Sequence, residues 1–80
     1  MFYTYVLQSR KNGKSYVGSC ADLEERLSRH DSGRVKSTKS GIPWEVVHFE
    51  RFESRSEAMA REKFYKTGKG RQEIKQYLDV

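Results

Sequence analysis

The chain has 80 residues, which is the size of one small domain and too short for two domains. Hydrophobic residues make up 35% of the sequence, and no apolar run approaches the ~20 residues of a membrane-spanning helix. The N-terminus lacks the basic and then apolar segments of a signal peptide. We therefore expect one soluble, cytoplasmic domain over residues 1–80, with no membrane partner.

Charge and cysteine content narrow the classes of function. Sixteen Lys and Arg residues against eleven Asp and Glu residues give a net charge of +5, which favours a polyanionic partner. Cys20 is the single cysteine, so an internal disulfide is excluded, and the sequence offers no Cys-x-x-Cys pair for a structural zinc ion. The fold must therefore be stabilised by packing alone.

The first two elements in chain order are strands joined by a tight turn. Aromatic and β-branched residues dominate positions 2–7, and Ser15–Gly18 follows a polar stretch with an Asn-Gly dipeptide at positions 12 and 13. Asn-Gly is the strongest short signal for a β-hairpin turn. In this hairpin Tyr16 is expected opposite residues near Ser9, and Tyr5 and Tyr16 converge on one face of the sheet.

A helix is expected to begin at Asp22 and to end at Gly33. The Asp-x-x-Glu spacing at its start is that of a capping box, and leucines then recur four residues apart. On a helical wheel, Arg26 and His30 lie on the same stripe as these leucines. An arginine and a histidine therefore share the inward face of the helix.

The segment Gly33–Pro43 is rich in Ser, Thr, Lys and Gly and carries Arg34, Lys36 and Lys39. This composition predicts a mobile basic loop that contacts phosphate groups. Trp44 directly follows the loop. Its indole either stacks on a nucleic-acid base or packs beneath the loop.

The sequence of the second half of the chain predicts one strand and two helices. Trp44–Phe52 is predicted to form a third strand. A Ser-x-x-Glu capping box at Ser54 then indicates the start of a helix, which is expected to end near Thr67. Glu62 lies on the inward stripe of this helix, where a core normally has an aliphatic residue. The stretch 68–71 is expected to be a flexible link to a short C-terminal helix, indicated by the spacing of Ile74, Tyr77 and Leu78.

The ionisable residues Glu62, Arg26 and His30 on inward faces have two interpretations. In the first, Glu62 and Arg26 form a salt bridge between helices while His30 caps its own helix. In the second, they form a phosphodiesterase site, which needs a metal, a cation for developing negative charge, and a base for the attacking water. A single carboxylate is sufficient for one Mg²⁺ ion, which retains waters and takes phosphate oxygens as its other ligands.

The motifs also resemble those of a known superfamily, the GIY-YIG nucleases, over most of the chain. More closely, the chain is similar to small stand-alone bacterial members, related to the GIY-YIG domain of the excision-repair incision subunit. The matching motifs are Thr4-Tyr5-Val6, Tyr16-Val17-Gly18, Asp22-Leu23-Glu24-Glu25-Arg26-Leu27 with His30, and Ala58-x-x-x-Glu62-x-x-x-Lys66.

The resemblance implies an α+β fold with a three-stranded antiparallel sheet flanked by helices in the order β-β-α-β-α-α. It also implies metal-dependent cleavage of DNA, with one Mg²⁺ or Mn²⁺ ion. Tyr5 matches the tyrosine that helps to deprotonate water, Tyr16 the tyrosine that lines the site, Arg26 the phosphate-binding arginine and Glu62 the metal ligand. His30 matches another polar site position, and we include it among the catalytic residues.

The basic residues around two loops are expected to contact the DNA backbone: Arg34, Lys36, Lys39, Lys66, Lys69 and Arg71. The sequence therefore predicts a metal-dependent endonuclease in DNA repair or processing, with a protein partner for targeting. The alternative is a non-catalytic nucleic-acid-binding or adaptor module of the same fold, because so small a domain has little surface with which to orient a substrate.

Overall fold

The computed structural model describes residues 1–78 and contains one antiparallel sheet with helices on both of its faces. The strands are β1 (Phe2–Ser9), β2 (Ser15–Cys20) and β3 (Trp44–Phe52), in the spatial order β2-β1-β3. The helices are α1 (Leu23–Asp31), α2 (Arg55–Tyr65) and α3 (Gly68–Ile74), with 3₁₀ turns at Lys36–Gly41 and Lys75–Tyr77. The α+β class and the β-β-α-β-α-α order are confirmed.

The hairpin places the two tyrosines on the same face of the sheet. Gly13 takes the left-handed conformation that the turn requires, with φ of 77°. Tyr5 pairs with Gly18 and Leu7 pairs with Tyr16, so Tyr16 lies two residues nearer the strand centre than expected. Because side chains alternate along a strand, Tyr5, Leu7 and Tyr16 all point to one face. The predicted convergence is confirmed.

The central strand β1 separates two small cores. On the α1 face, Tyr5 and Leu7 are buried with Cys20 and Trp44, and the leucines of α1 cover them. On the other face, Val6 packs against α2 and α3. The Thr4 hydroxyl on that face donates a 2.6 Å hydrogen bond to a carbonyl of α2. The consecutive residues Tyr5, Val6 and Leu7 therefore contribute alternately to the two cores.

The segment between α1 and β3 differs from the mobile loop that its composition predicts. Lys36–Gly41 forms a 3₁₀ turn in which Thr38 and Gly41 are buried. The Ser9 hydroxyl donates to the Gly41 carbonyl at 2.6 Å, and the Trp44 indole N–H donates to the Thr38 carbonyl at 2.8 Å. These contacts order the segment, and they show that Trp44 packs beneath it.

The expected flexible link at 68–71 is also wrong, because these residues form the first turn of α3. The Thr67 side chain caps this helix by accepting a hydrogen bond from the Gly70 amide at 3.1 Å. Gly70 is buried against the end of α2, where there is no room for a side chain. Beyond α3, the expected C-terminal helix is reduced to the 3₁₀ turn Lys75–Tyr77.

None of the helices within residues 1–78 combines the length and the apolar character that a bilayer-spanning segment needs.

Candidate active site at the edge strand

Helix α1 carries Arg26 and His30 to the sheet, as its periodicity predicts. Asp22 caps the helix by accepting a hydrogen bond from the Glu25 amide at 3.1 Å, and Gly33 ends it with φ of 80°. His30 is only 1% exposed, although histidine is seldom so deeply buried unless both ring nitrogens have partners.

Both ring nitrogens of His30 are bonded to hydroxyl groups. Nε2 lies 3.1 Å from the Tyr5 hydroxyl, and Nδ1 lies 2.8 Å from the Thr38 hydroxyl. The Tyr16 ring packs edge-on against the imidazole, with 4.9 Å between ring centroids. The structure thus brings Tyr5, Tyr16 and His30 together on the α1 face, and the imidazole does not cap its own helix.

The protonation states of this cluster follow from its burial. Burial raises the pKa of Tyr5 far above its ordinary value of 10, and the nearby Arg26 guanidinium only partly offsets this effect. Burial also lowers the pKa of His30, and the positive charge of Arg26 lowers it further. At neutral pH the pair is therefore a protonated phenol beside a neutral imidazole.

The burial of His30 gives a test by pH. The unfolded chain protonates the His30 imidazole more readily than the folded chain does. The contribution of neutral His30 to stability should therefore be fully present above about pH 6.5 and decrease as the pH drops below that value. We expect the free energy of unfolding in urea to decrease from pH 7 to about pH 5 in the wild type and in His48→Gln. His30→Gln should lose most of this slope. An equal slope in both variants would contradict the assignment.

Arg26 has a buried N–H donor that finds no acceptor among the described residues. Its Nε atom bonds to no other group within residues 1–78, although the guanidinium lies close enough to affect the pKa of Tyr5 and of Cys20. A buried N–H without an acceptor is uncommon. A phosphate oxygen is an acceptor that matches the charge and the planar geometry of the guanidinium.

Glu62 approaches β2 from the opposite face of the sheet. One carboxylate oxygen accepts a 2.7 Å hydrogen bond from the Ser19 hydroxyl, and the other accepts a 2.8 Å bond from the Lys66 ammonium group. The neighbour of Ser19 in the chain is Gly18, against which the Tyr5 hydroxyl packs so closely that a Cβ atom would lie 2.7 Å from Tyr5 Cζ. Tyr5 and Glu62 therefore contact consecutive residues of the edge strand β2, but from opposite faces of the sheet.

The proposed salt bridge between the two helices does not form in the described structure, because Arg26 lies beside Tyr5 while Glu62 is paired with Lys66. Burial alone would raise the pKa of Glu62, but hydrogen bonds from Lys66 and Ser19 outweigh it and lower that pKa. Glu62 is therefore an ionised carboxylate at neutral pH.

The donor set fits a hydrated divalent cation. Within residues 1–78 no group of three or more His, Cys, Asp or Glu side chains converges as a closed metal cage. Mg²⁺ commonly binds through one or two carboxylates and fills its coordination sphere with waters and phosphate oxygens. The chemistry of Glu62 is compatible with this mode of binding, in which the substrate supplies part of the coordination.

A groove of about 450 Å³ lies between β2 and α3, next to the candidate site. Its apolar lining comes from both elements, and three cations line it, whereas no carboxylate from the described residues does. Tyr16 and Lys66 belong both to this groove and to the contacts of His30 and Glu62. The lining residues are Ser15, Tyr16, Val17, Tyr65, Lys66, Arg71, Ile74, Lys75 and Leu78.

The six cations predicted to bind nucleic acid are all exposed, but they occupy two regions. Lys66 and Arg71 line the groove, and Lys69 lies on the same helix as Arg71. The second region is the segment between α1 and β3, which carries Arg34, Lys36 and Lys39.

Sequence reasoning missed Ser19 and Thr38, the partners of Glu62 and His30. Ser19 directly follows the Tyr-Val-Gly motif, and this position is the one signal in the sequence that points to it. Thr38 lies in a polar segment where nothing in the sequence distinguishes one hydroxyl from another.

Comparisons with known proteins identify the family of this chain. The GIY-YIG catalytic domain family matches residues 1–76. A UPF0213 protein of Streptococcus pneumoniae is 37% identical over 68 residues, which is 84% of this chain and 68% of that protein. A UPF0213 protein of Natronomonas pharaonis is 44% identical over 61 residues, or 75% of this chain and 71% of that protein.

A solved structure shows the same fold. The solution NMR structure of a UPF0213 protein from Bacillus halodurans superposes with a TM-score of 0.55 and 29% sequence identity. The match covers 95% of this chain and 84% of the solved one. The chain therefore belongs to the GIY-YIG family, a nuclease family, and it is similar to the UPF0213 proteins.

Proposed function

We propose that this protein is a metal-dependent endonuclease that hydrolyses DNA phosphodiester bonds in DNA repair or processing. The observation that carries the proposal is the hydrogen-bonded pair of Tyr5 and His30, beside an Arg26 Nε–H that no described residue accepts. Glu62 is bonded to the neighbouring edge strand β2 from the opposite face of the sheet. A phosphodiesterase needs a proton acceptor, a phosphate-binding cation and a metal ligand, and these residues have those properties.

Each residue has a role that follows from its surroundings. Arg26 binds a phosphate oxygen through its free Nε–H and stabilises the negative charge that develops there. Glu62 would hold the Mg²⁺ or Mn²⁺ ion, which supplies polarisation of the phosphate when it is bound. Tyr16 lies between His30 and the groove and orients the substrate at the edge of the sheet.

Tyr5 and His30 move the proton as a unit. A free phenolate at Tyr5 is too costly at neutral pH, because burial holds its pKa far above 10. The Tyr5 oxygen therefore accepts a proton from the attacking water while its own proton passes to Nε2 of His30, 3.1 Å away. The imidazole is the final acceptor in this step.

DNA binds through its backbone. The groove and the segment between α1 and β3 carry the exposed cations, and contacts from Lys and Arg to phosphates do not depend on sequence. A protein partner supplies targeting, and the cytoplasm is the location expected from the sequence.

A second candidate is a nucleic-acid-binding or adaptor module without turnover. The observation in its favour is that Tyr5 and His30 are each only 1% exposed, so the reacting hydroxyl is covered in the free protein. This candidate predicts salt-sensitive DNA binding that does not change with EDTA, and no cleavage of any substrate.

The experiment that separates these candidates is nicking of supercoiled and branched DNA with Mg²⁺ or Mn²⁺ against EDTA. We expect cleavage by the wild type that EDTA abolishes. Tyr5→Phe should lower turnover by roughly a hundredfold without unfolding the protein, because it removes only the hydroxyl that transfers the proton.

The matched control for this test is Tyr3→Phe, since Tyr3 lies on the same strand as Tyr5 and, in the described structure, neither lines the groove nor is bonded or stacked to His30. It should retain cleavage. Cleavage by Tyr5→Phe at the wild-type rate would contradict the proton transfer, and binding without cleavage would favour the adaptor.

A further inference from the structure

Thr38 is a buried hydroxyl residue in the 3₁₀ turn Lys36–Gly41 and is 1% exposed. Its Oγ1 lies 2.8 Å from Nδ1 of His30 and 3.3 Å from the Val35 carbonyl oxygen. Its own carbonyl accepts the indole N–H of Trp44 at 2.8 Å. The backbone of Thr38 is therefore held independently of the bond that its side chain makes to the imidazole.

The hydrogen atoms at this end of the imidazole can be assigned from the partners. A threonine hydroxyl has one proton to donate, and a backbone carbonyl can only accept. If the hydroxyl donates to Val35, its lone pair receives a proton from His30, which places the ring hydrogen on Nδ1. Both hydrogen bonds of Thr38 are then satisfied at once.

The other end of the ring leads to the same assignment. The polar groups of the described chain that act on the Tyr5 hydroxyl by hydrogen bonding are Nε2 of His30 and the guanidinium of Arg26. Arginine has no acceptor, so only Nε2 can take the phenol proton, and it must be the unprotonated nitrogen. The opposite tautomer leaves a buried O–H without an acceptor, which is costly.

We infer that Thr38 is a positioning residue that holds His30 as the Nδ1–H tautomer, so that Nε2 is free to receive the proton of Tyr5. The inference rests on the proposed function for its catalytic meaning, whereas the tautomer itself is a property of the folded protein. Because Thr38 is buried and its hydroxyl contacts the imidazole, we assign it a role that it exerts through His30.

The direct test is to measure which ring nitrogen of His30 carries the proton, by long-range ¹⁵N–¹H NMR correlations at a pH where the ring is neutral. The chain has two histidines, so the spectrum of His48→Gln assigns the signals. We expect the wild type to show the proton on Nδ1. Predominant protonation of Nε2 would overturn the inference, whether or not the protein cleaves DNA.

Two substitutions test the role of the hydroxyl. Thr38→Val removes it at nearly constant volume and should shift the tautomer ratio toward Nε2–H by roughly fivefold. Thr38→Ser keeps the hydroxyl and should restore both the wild-type tautomer and the turnover that Thr38→Val lowers. An unchanged ratio in a folded Thr38→Val would overturn the inference. If the wild type does not cleave DNA but His30 is the Nδ1–H tautomer, the nuclease proposal is contradicted and the tautomer assignment is not.

Discussion

Glu62→Gln is expected to abolish metal-dependent nicking while DNA binding is retained. A bound divalent ion contributes several kcal/mol of charge stabilisation, so the loss of its ligand should lower the cleavage rate at least about a hundredfold. The glutamine oxygen can still accept from the Ser19 hydroxyl, so the fold should change little. Removal of a negative charge beside Lys66 should not weaken the affinity for a polyanion.

The matched control for this experiment is Glu57→Gln on the same helix. It removes the same charge, and glutamine also serves in the capping box with Ser54. Cleavage should be retained by this variant and lost by Glu62→Gln when both are measured at the same Mg²⁺ concentration. Equal activity of the two variants would show that Glu62 does not hold the metal.

Gly70→Ala is expected to cause the largest loss of stability among single methyl additions. A Cβ atom at Gly70 would lie 2.5 Å from Tyr65 Cα and closer still to the Phe64 carbonyl oxygen. These are backbone atoms that cannot rotate away, so α3 must move off α2. We expect a loss of about 3 kcal/mol in the free energy of unfolding, which lowers the Tm by roughly 10 °C or more in a domain of this size.

Gly68→Ala provides the control for this prediction, because it lies in the same helix and, apart from its chain neighbours and its own helix backbone, no atom of the described residues lies within 4 Å of a Cβ added there. Alanine has the higher helix propensity, so the Tm of this variant should be equal to or higher than that of the wild type. Thermal unfolding followed by circular dichroism measures both variants. If both shift the Tm equally, the close approach of α3 to α2 does not stabilise the protein.

The parts of the fold that the sequence predicted are those set by local patterns. The Asn-Gly turn, the capping residues Asp22 and Ser54, and the helical spacing of Arg26 and His30 each act over a few residues. Such local patterns are sufficient to predict which side chains point inward without knowledge of any tertiary contact.

The parts that could not be predicted depend on contacts between distant residues. The turn Lys36–Gly41 is ordered by Ser9 and Trp44, which no local pattern joins to it. The glycines at 68 and 70 suggested a flexible link, whereas Gly70 is needed for close packing. The bond from Ser19 to Glu62 depends on how α2 lies across the edge of the sheet, which sequence spacing does not specify.

The single tryptophan of the chain is placed where it can report on the candidate site. Trp44 is 8% exposed and its indole donates to Thr38, the residue that contacts His30. The same 3₁₀ turn carries Lys36 and Lys39, two of the expected phosphate contacts. If phosphate binds at those lysines, we expect the polarity around this one fluorophore to change, so that tryptophan emission would serve as an intrinsic optical probe of binding.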